Sequence, residues 1–304
     1  MPTRRQFLKN SLAVSVLSLL PVRHASAAPA PPRHRLGVFV YLEDQEPDKT
    51  MASVRELGFD LCELYTNQVD RAAAERCRRA MEKHRVEASA LFTSGPGRMV
   101  WNLLDGPDTL GLVPRADRIA RVAALKQASD FAKICGIPAF ETHVGFIPEN
   151  PRDPLYRETV DACREVAAHC RAHGQTFLYH AGQETPLTLL RTIQDVGLDN
   201  QGVGLDTANL IVCGKGHPID ALEVYGKHLK AVNAKDGRWP TDPAQFGQET
   251  PLGAGRVDFP RFMKRLAETA YRGPIIIERE NAGASFPAEV RKARHYLEKL
   301  MEQS

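Results

Sequence analysis

Residues able to do acid–base or metal chemistry recur at one kind of place in this chain, the end of an apolar run. Phe140-Glu141-Thr142-His143 closes one run and Tyr179-His180-Ala181-Gly182-Gln183-Glu184 another. Leu205-Asp206-Thr207-Ala208-Asn209, Val232-Asn233-Ala234-Lys235-Asp236-Gly237-Arg238 and Ile277-Glu278-Arg279-Glu280 close three more. Taken singly, each has an ordinary explanation. Glu184 precedes Thr185-Pro186, where a helix opens, and Asp206 and Asn209 are types that cap turns. Lys235 and Asp236 as an exposed ion pair would contribute little. Taken together, several acids converging on one mouth repel each other unless a cation or raised pKa values intervene. A bound divalent metal answers that repulsion and supplies chemistry.

The elements that must position these residues alternate strand and helix eight times. Strands are expected at 36–42, 59–66, 86–93, 139–145, 176–180, 202–206, 229–234 and 274–278. Helices are expected at 50–58, 69–85, 115–135, 154–173, 185–196, 218–227, 258–271 and 287–302, with a Gly- and Pro-rich loop from Ser94 to Pro114. Pro274-Ile275-Ile276-Ile277 is a continuous apolar run, as befits a strand covered on both faces. Val160, Cys163, Val166, Ala167 and Cys170 recur at helical spacing. Eight such units predict a parallel (β/α)8 TIM barrel, whose chemistry sits at the carboxyl ends of its strands. A doubly wound open sheet is the structural alternative, but no GxGxxG follows the first strand.

The N-terminus reads as an address. Thr3-Arg4-Arg5-Gln6-Phe7-Leu8-Lys9 resembles a twin-arginine export motif. An apolar run to about Val22 follows, shorter than the roughly 20 apolar residues a membrane span needs. Ala25-Ser26-Ala27 supplies the small residues of a cleavage site. The expected organisation is a signal peptide at 1–27, a linker at 28–34 and a barrel at 35–304. The twin-arginine translocase is then a partner during export, and the destination is periplasmic or extracellular. The signal holds Arg4, Arg5, Lys9 and Arg23 and no acid. Residues 28–304 therefore carry 36 of the 40 basic side chains against all 37 acidic ones. That near-neutral balance argues against a nucleic-acid-binding protein. The six cysteines form no CxxC pair, and we read them as mostly buried free thiols, a disulfide not being required.

The segments His180-Ala181-Gly182-Gln183-Glu184-Thr185, Leu205-Asp206-Thr207-Ala208-Asn209, Asn233-Ala234-Lys235-Asp236-Gly237 and Ile277-Glu278-Arg279-Glu280 resemble the sugar phosphate isomerase/epimerase family, of the xylose isomerase-like TIM-barrel superfamily. Pro251-Leu252-Gly253-Ala254-Gly255 followed by Val257-Asp258-Phe259 adds to the likeness, which runs over most of the chain after the signal. The resemblance implies one divalent metal held by Glu184, Asp206, Asn233 and Glu278. Asn233 stands where that family usually has His. An amide oxygen suits hard cations such as Mg²⁺ or Mn²⁺ better than softer ones. His143 and His180 are candidates to compensate as ligands or to contact substrate, or are simply hydrogen-bonded barrel residues.

The resemblance further implies that Glu184 and Glu278 move a proton off and onto a carbon next to a carbonyl. Asn209, His217, Lys235 and Arg238 are candidate contacts to substrate hydroxyls or an anionic group, and Trp239 a candidate apolar wall. The expected function is an exported, metal-dependent sugar isomerase or epimerase acting on a small carbohydrate. Alternatives are β-elimination from a 3-keto-glycoside on the same barrel and a non-catalytic sugar-binding protein. A nuclease like endonuclease IV is disfavoured by the few histidines at the strand ends and by the charge balance.

Overall fold

The computed structural model describes residues 34–42 and 46–303. The expected signal peptide, and the expected linker up to residue 33, lie outside the described residues. The described residues form one compact unit.

In chain order the elements are β1 (Leu36–Tyr41), α1 (Pro47–Glu56), β2 (Leu61–Tyr65), α2 (Arg71–His84), β3 (Glu87–Phe92), α3 (Gly106–Thr109) and α4 (Arg115–Cys135). There follow β4 (Ala139–Thr142), α5 (Pro154–Ala172), β5 (Thr176–His180), α6 (Pro186–Val196), β6 (Gln201–Asp206), α7 (Asn209–Val212) and α8 (Pro218–Tyr225). The chain ends with β7 (Leu229–Ala234), β8 (Asp236–Gly237), β9 (Glu249–Thr250), α9 (Phe259–Ala267), β10 (Ile275–Ile277) and α10 (Phe286–Gln303). Eight strands close into a barrel in the order β1-β10-β7-β6-β5-β4-β3-β2. Every barrel pair is parallel, and β1 meets β10 through Leu36↔Ile275 to complete the ring. The expected TIM barrel is the observed fold.

Strand alternation sorts side chains to the two faces of the barrel wall. Val38, Val40, Cys62, Leu64, Phe140, Phe177, Val203, Val232 and Ile277 face the helices and join the main core. Leu61, Phe39, Phe92 and Ile276 form a separate cluster, and Ala90, Ala139, Leu178 and Ala231 another. These eight share the inner face, and they set the register of everything polar above them. Two residues beyond members of this floor come Glu63, Glu141, His180, Asn233 and Glu278.

The helices cover the outer face for reasons visible locally. In α5 the buried positions Tyr156, Val160, Cys163, Val166, Ala167 and Cys170 make one stripe, and Asp153 caps its N-terminus by accepting from the Leu155 N–H at 2.9 Å. Gly136 and Gly197 end α4 and α6 in the left-handed conformation.

The differences from the sequence expectation have physical causes. Helix α1 starts at Pro47 rather than 50, because proline suits the first helical turn and the Glu46 carbonyl accepts from the Lys49 N–H. Strand β4 ends at Thr142, not 145, because the Val144 carbonyl leaves the ladder and accepts from the Leu112 N–H of the long loop. Helix α9 ends at Ala267, where Thr269 bonds the Leu266 carbonyl through both its N–H and its hydroxyl. The short elements α3, α7 and the β8–β9 hairpin are too brief to leave a periodic signal. All six cysteines are buried and free. Among the described residues, no helix is long and apolar enough to cross a membrane.

Candidate active site at the barrel mouth

The inner face above the apolar floor is lined by acids, and one of them, Glu63, comes from a strand the sequence analysis left out of the site. Glu63 stands in the middle of β2 and Glu141 in β4, both without solvent exposure. An ionised carboxyl inside an apolar strand is costly and persists where something offsets it. The signal was present in Leu61-Cys62-Glu63-Leu64-Tyr65, where one acid interrupts an apolar run on the inward parity. Burial pushes Glu63 well above the usual carboxylate range, and the nearby charge of Glu141 adds to the rise. Gly204, on β6, makes the room: a methyl group there would lie 1.9 Å from Glu141 Oε1.

His180, at the end of β5, joins this inner layer to the mouth. Its Nδ1 donates to Glu141 Oε1 at 2.8 Å, and its Nε2 lies 3.1 Å from Asn209 Nδ2 and 3.6 Å from Asp206 Oδ2. Burial opposes the imidazolium, but the neighbouring carboxylates of Asp206 and Glu141 together outweigh it and raise His180 well above the ordinary value. Asp206 ends β6 and accepts on Oδ1 from the N–H groups of Ala208 (2.7 Å) and Asn209 (3.0 Å), which turn the chain into α7. Asn233, paired with Asp206 across β6 and β7, donates from Nδ2 to Glu63 Oε2 (3.1 Å) and Glu278 Oε2 (3.0 Å). The amide thus ties the inner acid to the outer one.

Lys235 is buried among the same acids. Its Nζ donates to Glu278 Oε1 and Glu280 Oε2, both at 2.8 Å, and lies 3.6 Å from Asp206 Oδ2. Burial opposes its charge, yet Glu278, Glu280 and Asp206 hold it well above the usual lysine value. Burial would raise Asp206, but Lys235, His180 and the Asn209 N–H together outweigh it and hold this carboxyl low. Burial pushes Glu278 up to about 7, with Lys235 only partly offsetting it. Asp236, the next residue, points away and organises the Pro251–Gly255 segment. Its carboxylate accepts from the N–H groups of Gly237, Gly253, Gly255 and Val257.

The structure thus brings His180, Asp206, Asn209, Asn233, Lys235 and Glu278 together. His143 is half-buried beside them, its ring 4.6 Å from that of His180, and its Nδ1 is 3.0 Å from Gln183 Oε1. Glu184 lies four residues past β5 and outside the groups whose ligand atoms converge. It is buried, and burial raises it to about 7. Its electrostatic neighbours include His180, Lys215, Cys163, Cys213 and Tyr225. His217 caps α8 by accepting from the Ile219 N–H, and its Nε2 donates to the Arg256 carbonyl. Arg238 and Trp239 are exposed on the loop between β8 and β9.

A hard divalent cation fits this donor set. Ligand atoms of His180, Asp206 and Glu278 lie within 4.8 Å of one another. Asp206 Oδ2 and Asn233 Oδ1 are buried without a hydrogen-bond partner, as are Glu63 Oε1, Glu141 Oε2 and Glu184 Oε2. Buried acceptors without donors call for a proton or a cation.

The sequence model of the xylose isomerase-like TIM barrel matches residues 51–300. The chain belongs to this family. Among solved members of the xylose isomerase-like fold, a xylose isomerase domain protein from Planctomyces limnophilus is 29% identical, with TM-score 0.83, over 90% of this chain and 99% of that one. A xylose isomerase-like TIM barrel protein from Mycobacterium smegmatis, in complex with magnesium, is 18% identical with TM-score 0.65, over 85% and 90% of the two chains. A 3-keto-D-glucoside 4-epimerase from E. coli is 13% identical with TM-score 0.64, over 86% and 100%. No curated protein matches the chain significantly.

Proposed function

We propose that this protein is an exported, metal-assisted sugar isomerase or epimerase that moves a proton at a carbon beside a carbonyl. The observation that carries the reading is Glu278, a carboxyl buried at the end of β10, pushed up to about 7 and set among Lys235, Asp206 and Asn233. A base works best with a pKa near the operating pH. A divalent cation, Mg²⁺ or Mn²⁺, held by His180, Asp206, Asn233 and Glu278, with Glu184 as the ligand the motifs nominate, would polarise the substrate carbonyl.

Glu278 takes the proton from the adjacent carbon, and the C–H electron pair moves into the carbonyl to leave an enolate. The Lys235 ammonium, 2.8 Å from Glu278 Oε1, offsets negative charge as it develops. Return of a proton to the other face is assigned to Glu184, the second carboxyl near 7. The same abstraction, with a leaving group on the next carbon, gives elimination instead. The similarity in fold to a 3-keto-D-glucoside 4-epimerase supports testing such substrates beside free ketoses. The twin-arginine pattern supports a carbohydrate met outside the cytoplasm, and replacing Arg4 and Arg5 by Lys is expected to stop export.

The test is a screen of ketoses and 3-keto-glycosides in D₂O with the metal-analysed protein. Wild type is expected to incorporate deuterium at the carbon beside the carbonyl and to contain a divalent metal. Glu278→Gln is expected to lose at least about 10²-fold in turnover, and near-wild-type activity there removes its role as base. Glu184→Gln tests the reprotonating role separately. Metal well below one equivalent, with no activation by Mg²⁺ or Mn²⁺, overturns metal assistance.

A further inference from the structure

Outside the barrel, where α4 packs on α5, a second group of ligating side chains comes together: Asp130, His169 and His173. His169 and His173 are four residues apart at the end of α5, so their rings share one face, 4.7 Å apart. Asp130 approaches from α4. Its Oδ1 lies 2.8 Å from His169 Nε2 and 3.5 Å from His173 Nε2.

Hydrogen bonds behind His173 decide which of its nitrogens is bare. Gln175 Nε2 donates to the Ser129 carbonyl at 3.0 Å, which orients the amide and leaves its Oε1 to accept from the Ser129 hydroxyl at 2.6 Å. Ser129 has one hydroxyl proton, so its Oγ accepts from His173 Nδ1–H at 3.1 Å. In the neutral ring, the Nε2 lone pair therefore faces a carboxylate oxygen. Two acceptors face each other there, and a cation between them resolves the conflict.

We propose that Asp130, His169 and His173 bind a divalent transition metal of the zinc, nickel or copper class, which clamps α4 to α5. Two imidazoles and a carboxylate suit these ions. Metal–ligand bonds of about 2.0–2.1 Å place two tetrahedral ligands roughly 3.3 Å apart, close to the spacings observed. Asp130 and His169 are partly open to solvent, so water can complete the shell. The Ser129–Gln175 pair would act as the outer support that fixes a ligating imidazole.

The experiment titrates chelator-stripped protein with Zn²⁺ alone, by calorimetry and by thermal melting. Wild type is expected to bind one more zinc ion than His169→Gln or His173→Ala, and to gain melting temperature from Zn²⁺ that these variants do not gain. Ser129→Ala is expected to weaken the site about 10-fold or more. Glu278→Gln is expected to keep this site, so its loss is distinguishable from loss of the barrel metal. Unchanged zinc stoichiometry and affinity in both folded histidine variants overturns the proposal.

Discussion

Glu278 shows how the barrel interior sets the character of one side chain. In water it would be an ordinary carboxylate, but inside the mouth it is held near 7 because burial raises it more than Lys235 lowers it. The sign of its contribution to stability follows. A carboxyl whose folded pKa lies above its unfolded value makes the native state bind more protons, so stability falls as pH rises between the two values. Wild type in chelator is expected to lose stability between about pH 5 and 7 through this group. Glu278→Gln is expected to flatten that slope, as read from urea midpoints across the range. A second residue-scale prediction concerns Gly204. A methyl there meets Glu141 Oε1 at 1.9 Å, so Gly204→Ala is expected to cost about 1–3 kcal/mol. Adding Glu141→Ala removes the obstructing group, and the double variant is expected to be more stable than the sum of the singles. Simple additivity in that cycle would dissociate the two residues.

Elements decide how the mouth is walled. The segment from Ser94 to Pro114 reads as a loop in sequence, but it is fastened from below by one residue of α4. Arg121, with no solvent exposure, donates to the carbonyls of Pro96 (2.9 Å), Gly111 (2.7 Å) and Arg98 (3.0 Å). The fastened loop brings the Trp101 ring within 5.0 Å of His143 and gives the Leu103 N–H to the Ala244 carbonyl across the mouth. Helical periodicity explained why this stretch of α4 exists, not why it buries an arginine. Arg121→Met is expected to orphan three carbonyls at about 1–3 kcal/mol each where they stay dry. The expected readout is a higher KM, with Trp fluorescence changed and the barrel still folded. A variant with wild-type KM and fluorescence would show that the loop holds itself.

At the scale of the whole molecule, the barrel buries all six cysteines and pairs none. Native protein is expected to be inert to a thiol reagent, with six thiols titrating after unfolding; fewer would reveal disulfides. Burial also raises Cys163 and Cys213, which keeps them protonated and unreactive at neutral pH. Much of this architecture was legible in the chain alone. Apolar runs and helical stripes are local consequences of which face each element buries, so eight β/α units and the strand ends at His180, Asp206, Asn233 and Glu278 could be read from it. Closure of the ring could not be read so directly, because Leu36 meets Ile275 across most of the chain. Nor could the choice among acids. Glu63 and Glu141 enter the site, and Glu184 lies outside the convergent groups, because inward parity and register, not closeness in sequence, decide which carboxyls meet. Sequence by itself determined the barrel and the types of residue at its mouth. Only the tertiary structure decided which of them share one space, because that depends on distances across a closed ring that no local pattern encodes.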